Sequence, residues 1–92
     1  MTNTSQPTRP DRDTERGTAV VTTEALRFLA PDFPGYGAEN YGDFILELAP
    51  GLAGQITYVE SHGNAPHTRF TITTPDGYRT SGVRPSALAL EL

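Results

Sequence analysis

Short stretches in which apolar and polar residues alternate fill most of the chain after residue 17, and glycine or proline residues separate them. The clearest stretch runs from Arg69 to Thr74, where Phe70, Ile72 and Thr74 alternate with arginine and threonine. A period of two residues places alternate side chains on opposite faces of a β-strand. The pattern therefore predicts a mainly β domain in which each strand has one apolar face.

Similar patterns predict the other strands. Residues 18–23 are rich in valine and threonine, whose branched side chains favour an extended backbone. Pro75-Asp76-Gly77 predicts a tight hairpin turn, and Pro85-Ser86-Ala87-Leu88 predicts a 3₁₀ turn before a closing strand. The remaining predicted strands are 43–49, 55–60, 78–83 and 89–92.

Strand 55–60 carries a specific expectation about its two faces. Simple alternation places Ile56, Tyr58 and Glu60 on one face. Thr57 and Val59 are then expected on the opposite face.

Residues 24–30 are ambiguous between helix and strand. They are mostly helix formers, Thr23 can cap a helix start, and Pro31 would end the helix. One or two helical turns are predicted, and continuation of the strand is the alternative. The glycines and prolines of residues 31–42 predict a loop after this segment.

Two glycines and two apolar residues form a recognisable spacing, Gly51-x-x-Gly54-x-Ile56-x-x-Val59. It resembles the signature of KOW-type and related SH3-like barrels, and the resemblance continues through a strand, the Asp-Gly hairpin and the closing Pro-Ser-x-Leu segment, about half of the chain. It implies a small five-stranded, partly open SH3-like β-barrel over residues 18–92. Gly54 is expected where a side chain would collide. The resemblance also implies a non-catalytic role in binding RNA, DNA or another protein.

Residues 1–17 differ in composition from the rest, because Met1 is their only large apolar residue. Such a segment is predicted to be a tail that is disordered or becomes ordered on an assembly. Residues 7–12 match the spacing of a proline-rich ligand for SH3 domains. A self-ligand or partner segment, a solvated linker and an assembly-ordered arm are the alternatives for this tail.

Composition narrows the class of protein. A chain of 92 residues forms one domain, and the lack of cysteine excludes disulfides and thiolate chemistry. The chain has no membrane-length apolar run, so a cytoplasmic protein, or part of a particle assembled in the cytoplasm, is expected. Every basic residue is arginine, which favours a GC-rich genome such as that of an actinobacterium or its phage.

The net charge of −4 belongs to residues 18–92, and residues 18–47 carry five acids against one arginine. One side of the domain is therefore expected to be negative. Four aromatic residues lie in the loop 33–44, together with Glu39, Asp43 and the preceding Asp32, and the phenylalanines of this loop are expected to point inward. Aromatic faces and acids suit a cationic or proline-containing peptide. The predicted partner-binding residues are Tyr36, Glu39, Tyr41 and Asp43.

These features favour a non-catalytic protein-interaction module, with an accessory subunit of a phage or bacterial assembly as a variant. No cofactor is expected, and no residues form a catalytic signature. His62 and His67, even with Glu60, are too few for a metal site. The alternative sites are a nucleic-acid-binding patch at Arg69, Arg79 and Arg84, and an acidic surface that mimics nucleic acid at Glu24, Asp32, Glu39, Asp43 and Glu47.

Overall fold

Seven antiparallel strands form a single curled sheet, a half-barrel, in a computed structural model that describes residues 8–35, 41–61 and 68–91. The order across the sheet is β3-β2-β6-β5-β4-β1-β7. The prediction of a mainly β, partly open architecture is confirmed, whereas the predicted count of five strands is wrong. The strands are β1 (Ala19–Thr22), β2 (Leu26–Leu29), β3 (Ile45–Leu48), β4 (Ala53–Glu60), β5 (Arg69–Thr73), β6 (Arg79–Val83) and β7 (Leu88–Leu90).

The segment predicted as helical turns is strand β2. It pairs with β3 along its whole length, from Leu26 opposite Leu48 to Leu29 opposite Ile45. Phe28 is buried while its neighbour Arg27 is exposed, as expected for a strand with one covered face. Helix propensity differs by only a few tenths of a kcal/mol among such residues, so strand pairing and burial outweigh it.

The hairpin that joins β5 to β6 agrees with the sequence. The Gly77 N–H donates to the Thr74 carbonyl, and Gly77 has a φ of +92°, which favours glycine. The buried Thr74 hydroxyl accepts a hydrogen bond from the Tyr78 N–H at 3.0 Å. The predicted 3₁₀ turn is also present at Pro85–Ala87, directly before β7.

A bulge in β4 overturns the expected faces of residues 55–60. The register with β5 shifts between Ile56 and Tyr58, so Thr57 and Tyr58 are both exposed. Val59 instead joins Ile56 on the covered side and packs against the core. A bulge adds one residue to one strand and reverses the alternation beyond it, which a strict period of two cannot predict.

The core lies on one face of the sheet and includes residues of β1, β4, β5, β6 and β7 and of the turn before β7. Phe70 and Ile72 of β5, both 0–1% exposed, are its largest members together with Ile56 and Leu88. Burial of these side chains is the main favourable contribution to folding. The complete cluster of buried residues is Val20, Ile56, Phe70, Ile72, Val83, Ala87 and Leu88.

The described part of the N-terminal segment contacts β7 near its start and β4 at its end. The Leu90 N–H donates to the Thr8 carbonyl at 2.7 Å, and Pro10 is completely buried. Farther along, the Gly17 N–H donates to Ile56 and the Ile56 N–H to Thr18. That residues 1–17 are disordered or become ordered on an assembly stays a prediction, and residues 1–7 lie outside the described chain.

Candidate functional site

The predicted binding loop connects β2 to β3, and the structure describes its two ends. The rings of Phe33 and Phe44 meet edge to face with centroids 5.8 Å apart, and both side chains are half-buried. The contact joins the two described ends of the loop, and that the phenylalanines point inward stays a prediction. Among the predicted binding residues, Asp43 is exposed on the 3₁₀ turn Tyr41–Phe44. Tyr36, Glu39 and the side chain of Tyr41 lie outside what is described.

Strand β3 is the open edge of the sheet next to this loop. The Ala30 N–H donates to the Phe44 carbonyl, which places Phe44, Leu46 and Leu48 in the positions that bond to β2. Because such positions alternate in an antiparallel pair, the amides and carbonyls of Ile45 and Glu47 point away from β2. No other described strand pairs with this side of β3. Within the described chain, this edge therefore has backbone donors and acceptors that no neighbouring strand pairs with.

The side chains of β3 add an apolar and acidic character to this edge. Leu46 is 40% exposed, unusual for a large apolar residue on the side of the sheet that holds Phe28. Glu47 is exposed and lies opposite Arg27, and Asp43 is exposed just before the strand. The two acids and one arginine leave the edge negative, in keeping with the charge of residues 18–47.

The three arginines of the predicted nucleic-acid site are not brought together. Arg79 lies opposite Thr73, four residues along β5 from Arg69, or about 13 Å at the rise of a strand. Val83 pairs with Phe70, and Arg84 follows Val83. Arg84 therefore lies near Arg69, at the end of the hairpin away from Arg79. Arg69 also has Glu60 opposite it on β4.

Arg79 instead belongs to the surface near the binding loop. It lines an open cleft of about 270 Å³ together with Leu29 and Phe33. A single guanidinium beside apolar walls offers a point contact for an anion, whereas a nucleic-acid backbone needs several cations in a row.

A row of hydroxyl groups on the face opposite the core is a feature that the sequence reasoning missed. The hydroxyls of Thr57 and Thr73 lie 3.2 Å apart, and the Thr71 hydroxyl donates to Ser81 at 3.3 Å. Simple alternation from Ile56 already places Thr57 on this face, and the bulge adds Tyr58 to it. The threonines at alternate positions of β5 were the available signal, but the sequence does not show that β4 and β6 pair with β5.

Two features are absent from the described residues: a group of metal ligands and a helix that could cross a membrane. Within residues 8–35, 41–61 and 68–91, no three histidine, aspartate or glutamate side chains come together as metal ligands. His62 and His67 lie outside those ranges. In the same part of the chain, no helix has the length and apolar character that crossing a membrane requires.

The sheet is open along β3, and its acidic, partly apolar edge adjoins the aromatic loop. Comparison with known proteins finds no match to a family model, to a curated protein or to a solved structure. The function of this chain is therefore inferred from its own surface.

Proposed function

We propose that this chain is a non-catalytic protein-interaction module that receives an extended segment of another protein along the edge of β3. The observation that carries the proposal is the outward-pointing backbone of Ile45 and Glu47, for which the described chain provides no partner. An exposed strand edge is a template for another strand, and natural proteins cover such edges or use them for recognition. The opposite edge, at β7, is covered by the chain's own Thr8.

The side chains around the edge define the chemistry of the partner. Leu46 offers an apolar contact, and the exposed Asp43 and Glu47 attract cations. We therefore expect a segment in which apolar residues alternate with lysine or arginine, since alternate side chains of an added strand face the same side. Tyr36, Glu39 and Tyr41, the other residues that the sequence predicts to bind a partner, remain part of this proposal.

We propose an SH3-like, KOW-type barrel as the framework of this module. The strand that begins at Ala53, the hairpin at Asp76-Gly77 and the 3₁₀ turn Pro85–Ala87 before β7 follow in the order that the resemblance implies. An accessory subunit of a phage or bacterial assembly is the setting we propose for it. Binding of nucleic acid has weaker support, because the hairpin separates Arg69 from Arg79.

A proline at position 47 tests the edge directly. Glu47→Pro removes an outward N–H but no β2–β3 hydrogen bond, and an edge strand tolerates proline there. We expect retention of the partner from a nuclease-treated lysate of the encoding organism to fall about tenfold, because one interface hydrogen bond is lost and the added strand is blocked sterically. The measurement is quantitative mass spectrometry of proteins retained by wild-type and variant chains.

Glu47→Ala is the matched control, since it removes the same charge and keeps the N–H. Loss of one exposed charge is expected to reduce retention only about two- to threefold. A retained protein that distinguishes the proline variant from the alanine variant supports strand addition. Equal retention by all three chains contradicts it, and so does retention that disappears with nuclease. The latter result would favour nucleic-acid binding at the arginines.

The two loop tyrosines provide a second test. Replacing both Tyr36 and Tyr41 with alanine is expected to weaken binding of the retained protein at least about tenfold, because aromatic side chains dominate the energetics of interfaces. The measurement is a titration by isothermal calorimetry. Tyr58→Ala is the control, since Tyr58 is 54% exposed on β4, four positions from β3 in the sheet. Equal losses in both variants would remove the loop from the proposed surface.

A further inference from the structure

The edge of β7 is contacted by two residues of the chain itself, Thr8 and Arg9. The Leu90 N–H donates to the Thr8 carbonyl, as it would to an added strand. Pro10 is completely buried. Between them, the side chain of Arg9 reaches along the edge. Three consecutive residues thus provide a backbone hydrogen bond (Thr8), a cation (Arg9) and a buried ring (Pro10).

The Arg9 guanidinium is the specific element of this contact. Its Nη1 lies 2.9 Å from the Leu88 carbonyl oxygen, 3.0 Å from that of Ser86 and 3.1 Å from the Thr23 hydroxyl. Hydrogen bonds from an ionised donor are about twice as strong as neutral ones. The surrounding domain, residues 18–92, has a net charge of −4, which also favours a bound cation.

The proline explains why an arginine is needed. Proline has no N–H to offer a strand edge, and the guanidinium provides the donor that reaches the Leu88 carbonyl. The Thr23 hydroxyl is held in place by its own hydrogen bond to the Ser86 carbonyl at 3.1 Å. The acceptors are therefore arranged by β7 and the turn before it, and not by the arm that they bind.

We propose that the β7 edge is a second peptide-binding site, specific for an extended partner segment in which arginine precedes proline, and that residues 8–10 occupy it as an internal ligand. This site is distinct from the proposed β3 site, since the two strands lie at opposite ends of the sheet order. A partner segment must displace an arm whose effective concentration is in the millimolar range, as is typical of short flexible tethers. The arm therefore restricts the site to partners that are tightly bound or locally abundant.

A peptide with the sequence of residues 5–13, carrying a fluorophore, tests the site in the full-length chain. Arg9→Ala in the protein weakens the internal ligand, so the variant is expected to bind this peptide at least about tenfold more tightly than the wild-type chain does. A peptide with its own arginine replaced by alanine is expected to bind at least about tenfold more weakly to the same variant. Fluorescence anisotropy measures both. Amide shifts in NMR spectra should map the peptide to Thr23, Leu88 and Leu90.

Equal affinity of wild-type and Arg9→Ala chains for the peptide, or shifts at residues remote from β7, would overturn the proposal. Circular dichroism confirms that the variant is folded. The milder Arg9→Lys chain, which keeps the charge but loses the fork of donors, should have intermediate affinity and provides the same comparison if the alanine variant unfolds. Sedimentation of the wild-type chain should show a monomer. A dimer that Arg9→Ala dissociates would mean that the occupant is the arm of a second copy, which also overturns the proposal.

Discussion

Replacing Phe70 with alanine is expected to lower the free energy of unfolding by about 3–5 kcal/mol, the usual loss for a large aromatic side chain in a core. Phe70 is 0% exposed on β5, with Val59 opposite it on one side and Val83 on the other. Its ring thus joins three strands of the sheet. For a domain of this size the loss corresponds to a decrease of roughly 15–30 °C in Tm, measured by thermal unfolding followed by circular dichroism.

Two variants define how much of that effect comes from the cavity. Phe70→Leu keeps most of the apolar volume and should cost less than about 1.5 kcal/mol. Phe33→Ala removes an identical ring, but one that is half-buried at the base of the loop, and should cost less than Phe70→Ala. If Phe33→Ala destabilises the chain as much as Phe70→Ala does, the core is not centred on β5.

Local patterns in the sequence predicted the parts of the fold that depend on local chemistry. The alternation at Phe70 and Ile72, the turn at Asp76-Gly77 and the 3₁₀ turn at Pro85–Ala87 are all present. Each depends on residues within one strand or one turn. A period of two, a glycine with positive φ and a proline at the start of a turn are sufficient signals there.

The errors occurred where partners distant in sequence decide the structure. Strand β2 was predicted as helical turns because its residues favour a helix, yet pairing with β3, whose strand begins sixteen residues after β2 ends, makes it a strand. The bulge at Thr57 and Tyr58 depends on how β4 meets β5. Neither feature has a strong local signature, since register is set by both strands together.

The sequence drew attention to one segment of the candidate site, and the role of that segment in binding stays a prediction. Acidic and aromatic residues indicated the segment around Asp43, and the structure places that residue beside an open edge. The edge itself was missed, because a sequence does not reveal which strand ends the sheet. The internal ligand at Arg9 and Pro10 was similarly hidden: residues 7–12 showed the composition of a ligand but not where it binds.

The two edge strands of the sheet, β3 and β7, differ in how their outward backbone groups are covered. An open edge exposes backbone groups that attract other strands. At β7 the chain provides the cover itself, through Thr8 and Arg9. At β3 the described chain provides none, and acids flank the exposed Leu46. The negative charge at β3 reduces non-specific strand pairing and still allows a cationic partner to bind. The β7 edge is therefore occupied by the chain itself, whereas the β3 edge is accessible to the proposed partner.

Gly54 is expected to be a glycine at which substitution is damaging for a steric reason. A Cβ atom added there would lie 2.8 Å from Ile72 Cγ2 and 3.1 Å from the Thr73 carbonyl oxygen. The second contact is with backbone, which cannot rotate away. Gly54→Ala therefore forces β4 and β5 apart beside the core, and we expect a loss of about 2–3 kcal/mol, in the range of overpacked cores. Chemical denaturation with urea measures it.

Two other glycines separate this steric effect from a general effect of replacing glycine. Gly42 has no positive φ and no heavy atom within 4 Å of an added Cβ, so Gly42→Ala should be almost neutral. Gly82 has a φ of +70° with open space around it, so Gly82→Ala should lose about 1–2 kcal/mol through backbone strain alone. A Gly54→Ala chain as stable as the Gly42→Ala chain would show that β4 and β5 do not approach as closely as described. If the loss of stability instead decreases in the order Gly54, Gly82, Gly42, a glycine is required at position 54 because β4 and β5 approach each other closely there. That is the role expected of Gly54 in a small barrel.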